Sequence, residues 1–72
     1  MSALDDLILY VLSVRAHRFY ELQRNAQISA EIRRLEQLSG REGWRILDGR
    51  LIALRKKKTI KPDRKIGWSL DK

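Results

Sequence analysis

The sequence predicts a single, mainly α-helical domain closed by a small β-hairpin. Three observations carry that expectation. From Leu4 to Leu54, apolar residues recur at three- and four-residue spacing, the period of helices that turn one face to a core. Beyond a Pro62-Asp63-Arg64-Lys65 turn, the period changes to alternation at Ile66, Trp68 and Leu70. The composition, 43% apolar and 35% charged, is that of a folded chain rather than a disordered one.

The first helix is expected over about 3–22. Ser2 can cap it, and Asp5 and Asp6 oppose the positive end of its dipole in the first turn. Leu4, Leu7, Ile8, Val11, Val14, Phe19 and Leu22 fall close to helical spacing, while Leu9, Tyr10 and Leu12 widen the stripe almost to the full circumference. A helix apolar on so many sides is central in the core or pairs with a second molecule. Leu9, Tyr10 and Leu12 are therefore the candidate surface for a partner or for a homodimer.

Arg24 to Gln27 is polar and reads as a connection. A second helix follows over about 29–39, with Ser29 as its cap, Ile32, Leu35 and Leu38 on its inner face, and Gly40 as its stop. Asp48 can cap a third helix over about 48–58, where Leu47, Leu51 and Leu54 line one side. Its other side carries Gly49, Ala53 and Lys56, flanked by Arg45, Ile52 and Lys57. The hairpin is expected over about 59–71, with Thr59-Ile60-Lys61 pairing across the turn with Ile66 to Leu70.

The net charge is confined to the last third of the chain. Residues 1–24 hold three basic and three acidic side chains, and residues 25–48 hold four of each. Residues 49–72 hold nine basic side chains against Asp63 and Asp71, which is the whole net charge of +7. A positive potential gathered on one structured segment suits a polyanion, with a solvated surface run as the plainer reading.

Several functions lack candidates. There is no cysteine and only one histidine, His17, so no disulfide framework, thiol catalysis or multi-histidine metal site is expected. Adjacent helical residues such as Asp5 and Asp6 diverge by about 100°, so capping explains them better than paired acid–base chemistry. No glycine-rich phosphate loop occurs. The expectation is a protein that is not an enzyme and takes no cofactor or metal. The longest apolar run, Leu7 to Leu12, falls far short of the ~20 residues a membrane helix needs. The acidic N-terminus is unlike a signal peptide, and the expected setting is cytoplasmic, or nucleoid-associated or nuclear if the chain binds DNA. Of the two tryptophans, Trp68 alternates with Ile66 and Leu70 and so reads as core, whereas Trp44 fits a core position or a base-stacking one equally.

The run Leu51-Ile52-Ala53-Leu54-Arg55-Lys56-Lys57-Lys58-Thr59-Ile60, with Ile66-Gly67-Trp68-Ser69-Leu70 after the turn, resembles the recognition helix and wing of winged helix-turn-helix regulators of the PadR and MarR groups. Leu51, Leu54 and Ile60 match the apolar positions of that pattern, and Lys58 stands where such families usually place glycine. The resemblance implies three helices plus a wing, with the third helix in the major groove of double-stranded DNA. Arg45, Arg50, Lys56, Lys57 and Lys58 would then lie near bases or phosphates, Arg50 reading a base, and Lys61, Arg64 and Lys65 would reach the backbone from the wing. An RNA-binding module and a protein-interaction adaptor docking through the first helix are the alternatives.

Overall fold

The computed structural model describes residues 2–71. It arranges them as α1 (Ala3–Val14), α2 (Phe19–Arg24), α3 (Ala26–Ser39), α4 (Gly43–Lys56) and an antiparallel hairpin of β1 (Ile60–Asp63) and β2 (Gly67–Leu70). This is the mainly helical domain with a small hairpin that the periodicity predicts, in an order compatible with a winged helix. The helices number four rather than three.

The extra helix comes from a break in the expected 3–22 helix. Ser2 caps α1 as expected, its hydroxyl accepting the Asp5 N–H at 3.1 Å. Leu4, Ile8, Val11 and Leu12 are buried on its inner face. Continuing that stripe would bring Arg15 and Arg18 to the core positions, where two unpaired guanidiniums would be costly. The chain instead turns extended at Arg15, with φ −166° and ψ 168°. His17 then pairs with Trp68 of β2 as an isolated antiparallel bridge, His17 N–H donating to Trp68 O at 2.9 Å and Trp68 N–H to His17 O at 2.7 Å. His17 is thus a backbone partner of the hairpin.

The next two helix starts also differ from expectation, each for a local reason. Glu21 reaches back to accept the Arg18 N–H at 2.9 Å, which lets α2 begin at Phe19. Asn25, not Ser29, caps α3: its side-chain oxygen accepts from the N–H groups of Gln27 and Ile28, both at 3.0 Å. The helix ends where expected, at Gly40, whose φ of 72° is left-handed.

α4 begins at Gly43, five residues before the expected Asp48 cap, because its cap comes from another helix. The Glu36 carboxylate of α3 accepts the Gly43 N–H at 2.7 Å. A Cβ on Gly43 would stand 2.7 Å from Ile32 Cγ2, so the absence of a side chain sets how closely α3 and α4 approach. Leu47, Leu51 and Leu54 then enter the core with Ile28 and Ile32 of α3 and Leu22 of α2. Burying each such leucine contributes about 1.5–3 kcal/mol.

The exit from α4 is a Schellman turn. Thr59 N–H donates to Leu54 O at 3.0 Å and Lys58 N–H to Arg55 O at 2.9 Å, with Lys58 at φ 61°. Lysine occupies the left-handed position that glycine takes without strain. Lys58→Gly is therefore expected to raise stability by about 0.5–1 kcal/mol, after the greater chain entropy of glycine is offset. Denaturant unfolding checks this, and a loss of stability would show that the lysine side chain supports the turn.

The hairpin register pairs Ile60 with Leu70, Lys61 with Ser69, Pro62 with Trp68 and Asp63 with Gly67. Pro62 accordingly lies in β1 rather than in the turn, which comprises residues 64–66. Proline is tolerated there because β1 has a pairing partner on one side only. Ile60 is buried, while Trp68 and Leu70 are half-buried against the core. Ile66, expected to share their face, lies in the turn and is 51% exposed.

Candidate nucleic-acid interface

α4 has two faces of opposite character. Opposite its buried leucines stands the row Arg45, Gly49, Ile52 and Lys56, all exposed, at spacings of four, three and four. Arg55 is exposed to one side of that row, with the half-buried Asp48 beside it. Lys57 and Lys58 are exposed and carry the charge through the Schellman turn into the wing. Among the described residues, Lys56, Lys57 and Lys58 form no salt bridge.

Arg50 stands apart from these cations. Its Nε and Nη2 donate to Asp5 Oδ1 and Oδ2, each at 2.7 Å, a bidentate pair linking α4 to the first turn of α1. Asp5 is fully buried, and the Arg50 side chain is 38% exposed. The Arg50 hydrogen bond holds the Asp5 carboxyl below its ordinary 3.8, outweighing the opposing effect of burial. The base-reading role that the sequence suggests for Arg50 therefore meets a competing structural one: the planar fork suited to a base edge is engaged by Asp5. Asp5 likewise does more than oppose the helix dipole.

Lys61, Arg64 and Lys65 are exposed on the wing. Asp63 shapes its turn by accepting from the N–H groups of Lys65 at 2.7 Å and Ile66 at 3.2 Å. The wing is fastened to the body as well as paired within itself. Arg18 Nη2 donates to Lys65 O at 2.6 Å, and the His17–Trp68 bridge lies just behind. Arg18 thus adds a guanidinium to the wing turn across 47 residues of chain, a placement without a local sequence signal. Arg55 could have been found, since it belongs to the basic run and falls beside the outward row.

Trp44 lies at the start of α4 and is 48% exposed, which decides against a core position. Its indole N–H donates to Glu42 Oε2 at 2.6 Å, and the Arg45 guanidinium lies 5.3 Å from the ring centroid. On α1, the proposed partner surface is only partly exposed. Tyr10 is 64% exposed and Leu9 half-buried, but Leu12 is buried in the core at 4%. Val14, 71% exposed, takes the place beside Tyr10 that Leu12 was expected to fill.

Among the described residues, no group of three or more histidine or acidic side chains stands close enough to hold a metal ion. No helix among them is long and apolar enough to cross a membrane. No protein-family model matches the chain, and neither a curated protein nor a solved structure matches it.

Proposed function

We propose that this chain is a small double-stranded-DNA-binding protein of the winged-helix type, acting as a transcriptional regulator or as an accessory factor in recombination or replication. α4 enters the major groove by its outward row, and the wing lies along the phosphate backbone. The observation that carries this reading is the run of exposed cations where α4 passes into the hairpin, Arg55, Lys56, Lys57, Lys58, Lys61, Arg64 and Lys65, within the segment that holds the whole net charge of +7. Both elements are held in place: α4 by Glu36 and Asp5, and the wing by its bridge to His17. A backbone already fixed in this way loses little conformational freedom on binding.

Most of the affinity is then electrostatic, arising from the release of counterions from the duplex. Lys56→Ala is expected to weaken binding to all duplexes alike and to lower the slope of log K against log salt by about one. Fluorescence anisotropy at several salt concentrations measures both. An unchanged slope would remove Lys56 from the phosphate contacts. Duplex RNA offers a major groove too deep and narrow for a helix, so it should compete poorly. Equal competition by RNA would favour the RNA-binding reading.

A further inference from the structure

We infer that Arg45 and Ile52 select a guanine and a thymine about two base pairs apart, with Gly49 between them admitting the backbone of α4 to the base edges. This rests on the duplex-DNA reading above and asks which of its residues carry sequence preference. Arg45 and Ile52 are seven residues apart on one outward row, about 10.5 Å along the axis at ~1.5 Å per residue. A helix lying in the major groove runs obliquely to the base stack, so side chains two turns apart meet bases about two steps apart.

Arginine and guanine are the commonest specific pair in the major groove, because the guanidinium fork matches the O6 and N7 acceptors. Three arginines lie on α4. Arg50 is engaged by Asp5, and Arg55 stands to the side of the row. Arg45 lies on the row itself. The ring of Trp44 beside its guanidinium narrows the orientations open to it, and Glu42 in turn fixes that ring.

Ile52 is 45% exposed, and its neighbours along the row are Gly49 and Lys56. A lone exposed apolar residue is ordinary on a protein surface. This one is β-branched on an exposed helix face, where leucine or alanine would favour the helix more. The thymine methyl is the apolar group that a major groove offers, and a branched aliphatic side chain fits against it. Gly49 supplies an independent indication. A Cβ there would meet nothing within 4 Å, so nothing within the domain explains a glycine that weakens the helix. Close approach to a groove floor does explain it.

The test is selection from a randomised duplex pool with the wild-type protein, Arg45→Lys and Ile52→Ala, each first checked for native helical content. Wild type should enrich a motif with a guanine and a thymine about two base pairs apart. Arg45→Lys should lower the preference for that guanine about tenfold or more. Replacing the thymine by deoxyuridine should weaken the wild type several-fold but leave Ile52→Ala unaffected. Salt-sensitive binding without an enriched motif, or the same motif enriched by all three proteins, would overturn the inference while leaving the DNA reading in place. Absence of duplex binding by the wild type would overturn both.

Discussion

Arg50→Ala is expected to destabilise the domain by about 3 kcal/mol, much of its stability at this size. The loss comes mainly from Asp5, which the substitution leaves fully buried and without its bidentate partner. Asp5→Asn should cost less, because Arg50 is 38% exposed and can turn its charge to water. The pH dependence distinguishes this account from simple loss of packing. In the wild type, Asp5 titrates below its ordinary 3.8, so the pair stabilises fully above that pH and its contribution is lost as pH falls through the lowered value. In Arg50→Ala, burial favours the protonated form of Asp5, opposed by the weaker influences of Ser2 and Lys57. The gap between wild type and variant should therefore narrow as pH falls toward 3. Urea unfolding at pH 7 and pH 3.5 measures this, and a gap constant with pH would contradict it.

Gly67→Ala is expected to cost about 3 kcal/mol or more, with damage centred on the wing. Gly67 has φ 91°, a conformation that alanine adopts only under strain. The space around it is also occupied by backbone. An added Cβ would stand 2.5 Å from His17 O, 2.7 Å from Arg18 Cα and 2.8 Å from Arg18 N. No rotamer change relieves contacts of that kind, so the wing must separate from the 17–18 segment. Hydrogen exchange should show lost protection at the His17 and Trp68 amides while Leu51 and Leu54 in α4 stay protected. Gly49→Ala is the natural control: its Cβ meets nothing, and it should stabilise the helix by up to ~1 kcal/mol. Retained protection at His17 in Gly67→Ala would show that the close approach is not obligatory.

These two substitutions also mark what the sequence could and could not reveal. The inner faces of α1 and α4 follow from the spacing of Leu4, Ile8 and Val11 and of Leu47, Leu51 and Leu54, because a helix repeats its face every three or four residues. On α3, of the expected Ile32, Leu35 and Leu38, Leu38 is 71% exposed and Ile28, one turn earlier, is buried instead. The hairpin follows from the alternation of Trp68 and Leu70. The position of Lys58 before the wing strand, where glycine is usual, corresponds to a left-handed turn. Features that depend on distant partners were not legible. Glu36 caps α4 from seven residues away, Asp5 meets Arg50 across 45, and His17 meets Trp68 across 51. A local pattern registers none of these contacts.

The same limit applies to the candidate interface. The basic run and the outward side of α4 could be read from helical geometry alone, so Arg45, Lys56 and Lys57 appear from spacing. Spacing cannot show that one member of such a set is already paired, which is why Arg50 was expected to read a base although Asp5 engages it. Nor does it show that Arg18 joins the wing turn, or that the Leu12 side of α1 is buried and the Val14 side exposed.

Whether α4 and the wing form one duplex-binding face is decided by an amide-shift titration of labelled protein with a random DNA duplex at low and moderate salt. Shifts should be confined to residues 45–65 and to Arg18 beside the wing, shrinking as salt rises. Absence of shifts, or shifts centred on Tyr10 and Val14 of α1, would contradict it.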